Sequence, residues 1–294
     1  MKELSRPLSD PRQNQLLAAL PNAEWERWQP YLEPVSLVAG QVLCESGGTP
    51  AHVVFPTTAI VSLMYMTRDG GSAELAVIGN DGLVGISLYM GGNGTPSQAV
   101  VQSAGLGWRL GAQVVRREVD RAGPVLGMLL RYTQAMIAQV AQTAVCNRYH
   151  SIDQQLARRL LLGLDRSDSD DLVMTQEGAA NLLGVRREGI TAAALKLQQA
   201  GVIRYSRGHI SVLDRARLEH CTCECYAAAK REYDRLLPAP VARVLPPPPI
   251  RIAMPMPMPM PTPARVLKPR PMPVPAPRPL RAPPPWPAPM PMAA

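Results

Sequence analysis

Proline sets the first limit on what this chain can fold into. From Pro238 onward the sequence is dominated by it, in runs such as "PPPPIRIAMPMPMPMPTP". Each proline removes a backbone donor and fixes φ, so neither helix nor sheet propagates. Residues 238–294 are expected to form a disordered, basic, polyproline-II-like tail. The fold must then be built by the first 237 residues. The tail also displaces the charge argument. It holds seven basic residues and no acidic one (Arg243, Arg251, Arg265, Lys268, Arg270, Arg278, Arg281), so the formal net charge of +8 leaves only about +1 for the rest of the chain.

Composition narrows the class. Hydrophobic residues make up 46% and aromatic residues 4%, so a core must come from aliphatic side chains. The N-terminal "MKELSRPLSDPRQNQ" is polar and broken by proline, unlike a targeting signal. No run reaches the roughly 18 apolar residues of a membrane helix. These features predict a soluble, cytoplasmic protein with no membrane partner. Five cysteines (Cys44, Cys146, Cys221, Cys223, Cys225) without a secretion signal predict reduced thiols.

Between Tyr31 and Leu110, short β-branched or alternating runs are separated by glycine corners: "PVSLVAG", "HVVFPTTAIVSLMYM", "SAELAVI", "LVGISLYM" and "SQAVVQSA". Such spacing predicts an antiparallel barrel or jelly roll, preceded by helices at "NQLLAAL" and "AEWERW". Helical spacing follows from Pro124. Leu126, Leu130, Thr133, Ile137, Val140 and Ala144 step by 4, 3, 4, 3 and 4, a coiled-coil seam that predicts a dimer helix. The same period also suits a helix packed within its own chain. A second helix, "SIDQQLARRLLLGLDR", comes next.

The segment from Met174 to Arg217 is the most specific. Thr175 is placed to cap "QEGAANLLG", with Ala179, Leu182 and Leu183 inward and Gly184 in the left-handed terminating position. A second helix, "REGITAAALKLQQAG", is expected to bury Ile190, Ala194, Leu195 and Leu197. The run "VIRYSRGHISVLD" then reads as a hairpin. Two helices joined by a glycine turn and followed by a hairpin describe a winged helix-turn-helix. Seven basic residues against three acidic make this segment locally about +4. Double-stranded DNA is the predicted partner. Arg187 suits guanine O6 and N7, Glu188 suits cytosine N4, and Thr191 and Lys196 extend the same helix. Thr175 and Arg186 suit phosphate, and Arg204, Ser206, Arg207 and His209 place the wing against the backbone.

At these residues the chain resembles the Crp–Fnr superfamily of bacterial transcription regulators, over roughly residues 15–237. The resemblance rests on "GQVLCESG", "VVFPTTAIVSL", the long helix, and "MTQEGAANLLGVRREGITAAALKLQQAGVIRYSRGHISVLDR". It implies an α+β fold: an effector jelly roll (15–123), a dimerisation helix (124–150), a winged helix-turn-helix (151–217), a C-terminal helix (218–237) and the tail. It further implies a homodimer, a near-palindromic DNA site and RNA polymerase as a partner. Ala192 replaces an arginine that many relatives use at a base, and Arg186 replaces a frequent capping serine. In the effector pocket, relatives that bind cyclic nucleotides use a glycine–glutamate turn for the ribose; Asp81 and Gly82 stand in the matching region, where Asp81 can still accept from a ribose hydroxyl. Ser97 and Gln98 stand where cyclic-nucleotide binders carry a phosphate-binding arginine. A neutral hydroxyl does not replace that charge-assisted contact, so the domain is expected to sense something other than a cyclic nucleotide or mainly to support the dimer, and no cofactor is expected.

Two other readings stay open. In "HCTCECY", Cys221, Cys223 and Cys225 beside His220 suit a soft metal or a redox switch. On one continuous helix, however, Cys223 would point away from the other two, and buried structural thiols are the favoured reading. An interaction module using the tail is the other. Enzyme chemistry has little support: there is no phosphate loop, His52, His150, His209 and His220 are scattered, and Ser87 lacks the glycine of a nucleophile elbow.

Overall fold

Glycine corners and alternating apolar residues fold the first half of the chain into two antiparallel sheets. The computed structural model describes residues 10–92, 94–167, 171–206 and 208–237. The expectation for the Pro-rich tail therefore lies outside the described residues. Two short helices open the fold, α1 (Gln15–Ala18) and α2 (Asn22–Trp28). Strands β1 (Glu33–Leu37), β2 (Val42–Cys44), β3 (His52–Pro56), β4 (Ile60–Met66) and β5 (Ser72–Ile78) follow. After α3 (Ser87–Met90) come β6 (Gln98–Ser103) and β7 (Gly105–Gly111). The sheet orders are β1-β7-β3 and β2-β6-β4-β5. Leu37, Phe55 and Leu110 of the first sheet share one buried cluster with Val61, Ile78 and Val101 of the second, so the sheets enclose a single core.

Asn14 fastens the start of the chain to this sandwich. Its Oδ1 accepts from the Leu16 and Leu17 amides, capping α1. Its Nδ2 donates to Pro56 O and Gly82 O at 2.9 and 2.8 Å. Every polar atom of this fully buried side chain is thereby satisfied.

Three local expectations change. The run "LVGISLYM" is not a strand: Val84 makes an isolated bridge to Val54, and Ser87–Met90 forms α3. Gly85 at φ +108 breaks the extended path, and Leu88 and Tyr89 turn into the core. The central strand β7 was hidden in "GLGWRLG" because glycine suppresses the strand signal. It is needed there, since a Cβ on Gly107 would come within 2.9 Å of Phe55 O. A further helix, α4 (Ala112–Asp120), also went unread.

The long helix is α5 (Pro124–Tyr149), as its spacing predicts. It buries Met128, Leu129, Tyr132, Ala135, Met136 and Cys146 within its own chain. Of the expected seam, Leu130, Ile137 and Ala144 are exposed and Leu126 and Val140 half-buried. Thr133 turns inward, where its hydroxyl meets Leu129 O and Tyr89 Oη.

The remaining elements are α6 (Ile152–Leu164), β8 (Asp171–Val173), α7 (Gln176–Leu183), α8 (Arg187–Gln199), β9 (Ile203–Ser206), β10 (His209–Val212), α9 (Arg215–Cys221) and α10 (Glu224–Leu236). The expected single C-terminal helix is divided. Thr222 and Cys223 are extended, and Thr222 Oγ1 donates to Gln154 O. The break lets both Cys223 and Cys225 face inward instead of one. A second core joins α6–α8 and the wing to Ile60, Met64 and Val77 of the sandwich. No helix among the described residues is long and apolar enough to cross a membrane.

Replacing Asn14 with Ala strands the Pro56 and Gly82 carbonyls and two helix amides in a dry site. The expected loss of stability is about 2–4 kcal/mol, measured by urea unfolding; a change under about 0.5 kcal/mol would show that Asn14 is no anchor.

Candidate nucleic-acid interface

The helix-turn-helix is built by caps and one left-handed glycine. Thr175 caps α7, its hydroxyl accepting from the Gly178 amide at 2.9 Å. Gly184 ends the helix at φ +64, a conformation that costs other residues a Cβ clash. The turn then reaches α8 in two residues. Arg186 stands at its N-cap without a side-chain capping bond; its carbonyl accepts from the Gly189 amide at 3.0 Å, which leaves the Arg187 and Glu188 amides open to another acceptor.

On α8 the buried arc is Ile190, Ala193, Ala194 and Leu197, facing α6. Gly189 allows this approach, because a Cβ there would lie 2.8 Å from Ile152 Cδ1. The outward face carries Arg187, Glu188, Thr191, Ala192 and Leu195, all exposed. Leu195 was expected inside and is 52% exposed. Five residues beyond Ile190 the helix has rotated to about 140° from it. Lys196 also departs from expectation. It lies nine residues, about 180°, from Arg187, and its Nζ pairs with Asp153 Oδ2 of α6 at 2.7 Å. Thr191 Oγ1 sits 3.0 Å from both Arg187 O and Gln176 Oε1, linking the two helices at the outward corner.

The wing lies beside the α7 cap. β9 and β10 pair in register His209↔Ser206 to Val212↔Ile203, with β8 on the other side of β10. Met174 N donates to Gly208 O at 2.8 Å, and a Cβ on Gly208 would come within 3.4 Å of Thr175 Cγ2. Arg204, Ser206 and His209 are exposed, while Arg207 lies outside the described residues. Local charge is less free than a count suggests, since Arg215 is paired with Asp165 and Glu219, and Lys196 with Asp153. Arg186, Arg187 and Arg204 are exposed and have no ion pair among the described residues.

The family model for the Crp-like helix-turn-helix domain matches residues 154–221, from α6 through the wing to the end of α9. This segment is similar to the Crp-like helix-turn-helix domain. The fold of the chain agrees. It superposes on a Crp/Fnr-family chain of Eubacterium rectale with a TM-score of 0.57 at 19% identity, over 71% of this chain and 98% of that one. For FixK2 of Bradyrhizobium japonicum the values are 0.55, 15%, 65% and 98%. For the c-di-GMP responsive global regulator CLP of Xanthomonas campestris they are 0.51, 13%, 66% and 100%. No curated protein matches the chain in sequence at a significant level. The Crp-like domain and the Crp/Fnr fold around it support DNA binding and transcription regulation as the class of activity.

Of the residues expected to line an effector pocket, Asp81 borders one space and Ser97 another. Asp81 faces the DNA-binding half: its carboxylate takes Nη2 and Nε of Arg166 at 2.6 and 3.1 Å. Gly82 is pressed against α5, where a Cβ would lie 2.6 Å from Tyr132 Oη. That hydroxyl donates to Leu83 O, and burial raises the phenol well above its ordinary range, keeping it a neutral donor. Ser97 is buried beside Thr95, and Gln98 Nε2 donates to Glu45 Oε2. The space next to Ser97, bounded by Cys44, Leu63, Thr95 and Met136, is about 30 Å³. That is room for about two water molecules.

Asp81→Asn breaks an ion pair whose guanidinium is almost fully buried. Stability should fall by about 3–5 kcal/mol in a denaturant titration. If Asp81 instead served only a soluble ligand, stability without ligand would not change.

Proposed function

We propose that this chain is a sequence-specific DNA-binding transcription regulator. It acts as a homodimer that places α8 of each subunit in the major groove of a near-palindromic site. The observation that carries this reading is the pair Arg187 and Glu188. Both are exposed in the first turn of α8, on the side away from α6. A helix entering the major groove presents those positions to base edges. Arg187 donates in a fork to guanine O6 and N7, and Glu188 accepts from cytosine N4. Leu195 and Ala192, on the same face, suit thymine methyl groups. The α7 N-terminus at Thr175 and the wing residues Arg204, Ser206 and His209 hold phosphates, with Arg186 at the free amides of α8. Lys196 is left out of this set because it is turned to Asp153.

Association of two copies is supported by the uncovered part of α5. Leu130, Ile137 and Val145 are 49%, 62% and 44% exposed along a helix otherwise packed into the core. Apolar side chains so spaced favour a partner helix. The Asp81–Arg166 pair and the narrow space beside Ser97 weigh against control by a cyclic nucleotide in the sandwich. RNA polymerase contact is consistent with regulation and is left to experiment.

Arg187→Ala should weaken specific binding by about 1–3 kcal/mol and relax base preference at a single position of each half-site, read by quantitative footprinting. Unchanged specific affinity would remove Arg187 from the reading role. Ile137→Glu should convert the protein to a monomer in sedimentation equilibrium while preserving its far-UV circular dichroism; a persistent dimer would place the interface elsewhere.

A further inference from the structure

The break between α9 and α10 assembles four metal-ligating side chains that are far apart in sequence. Cys146 and His150 lie one turn apart at the end of α5. Cys223 and Cys225 flank the start of α10. Their ligand atoms all lie within 4.8 Å of one another. Cys146 Sγ is 3.6 Å from Cys223 Sγ, and Cys225 Sγ is 3.5 Å from His150 Nδ1. Around one tetrahedral zinc, with Zn–S near 2.3 Å and Zn–N near 2.0–2.1 Å, the ligand–ligand edges are about 3.7 Å for S–S and about 3.5 Å for S–N. Clusters of several iron atoms set their thiolates much farther apart.

We propose that Cys146, His150, Cys223 and Cys225 form a mononuclear Cys3His site for a soft divalent metal, zinc by ligand type and geometry. Two further contacts fit that assignment. With Nδ1 turned to the thiols, the other ring nitrogen of His150 faces Glu224 Oε1 at 3.3 Å. A carboxylate on the second nitrogen is the usual way a ligating histidine is oriented. Charge also balances. Three thiolates and a neutral imidazole on a divalent ion leave one negative charge, the thiol protons passing to solvent on binding. The Arg158 guanidinium lies close by, its Nη2 donating at 2.9 Å to Thr143 Oγ1, about one turn before Cys146 on α5. Arg158 is 5% exposed, its Nε has no hydrogen-bond partner, and it has no carboxylate partner among the described residues. A buried cation so placed is costly unless an anion sits near it.

Cys221, earlier grouped with these thiols, lies apart against the second core. Cys146 and His150 could not be linked to "CTCEC" from spacing alone.

The site spans His150–Ser151, where the chain passes from α5 to α6. His150 O accepts from Gln155 Nε2 at 2.9 Å, and Thr222 Oγ1 donates to Gln154 O. A bound metal therefore fixes the joint that carries the Crp-like domain. This consequence, unlike the site itself, rests on the DNA-binding reading.

The test is metal analysis of the full chain purified under reducing conditions and loaded with zinc alone. The expected result is one zinc per chain, lost in Cys223→Ser/Cys225→Ser and retained in Cys221→Ser. Glu224→Ala, at an exposed position, should weaken zinc binding about 10–100-fold in a chelator competition. Cobalt in place of zinc should show thiolate charge transfer and tetrahedral ligand-field bands. Folded wild-type protein that takes up no zinc or cobalt would overturn the proposal. So would equal loss in Cys221→Ser, or a cluster containing inorganic sulfide. Arg187→Ala separates the two readings: it should keep its zinc whether or not it binds DNA.

Discussion

The buried ion pair between Asp81 and Arg166 is the contact on which the arrangement of the chain turns. Asp81 belongs to the glycine corner after β5, and Arg166 follows the end of α6. The corner is small enough to be clasped from both sides. Cβ atoms on Gly79 and Gly82 would collide with Arg166 Cβ and Tyr132 Oη, at 2.6 Å each. The Arg166 guanidinium also lies over the Tyr233 ring of α10. One corner thus touches α5, joins the end of α6 and lies close to α10. Charges removed from water hold only when fully paired, so this contact fixes the position of the sandwich with little tolerance.

A second buried pair repeats the pattern. Glu74 of β5 meets Arg159 of α6 at 2.6 Å and also accepts from Ser62 of β4. Ser72 Oγ donates to Asn181 O, and Gly184 lies against Ser72 and Ala73. The sandwich therefore supports the helix-turn-helix at its turn as well as at its root.

Much of this was legible in the sequence, and the reasons are local. Thr175, Gly184 and the phase of Ile190 and Leu197 follow from capping and helical period, which depend on near neighbours. Arg187 and Glu188 were legible for the same reason: position in a first turn sets direction. What was missed depends on distant chain. Gly107 serves the backbone of Phe55, and Asp81 meets Arg166 across the fold. Residue type points Leu195 inward, while the helical angle turns it out to 52% exposure. The cysteines needed the break at Thr222, which no repeating pattern announces.

The second core has a mechanical meaning. Ile60, Met64 and Val77 of the sandwich share it with Leu156, Leu160 and Leu161 of α6 and with Leu182 and Leu183 of α7. The two halves are not beads on a hinge that can swing freely. Any rearrangement that separates them wets aliphatic surface at roughly 25 cal/mol per Å², in addition to breaking two buried ion pairs. A signal that shifts this protein by moving its reading head must supply that difference in affinity between the two states. Small rotations that slide the helices while keeping this core covered cost less, because they leave that surface dry.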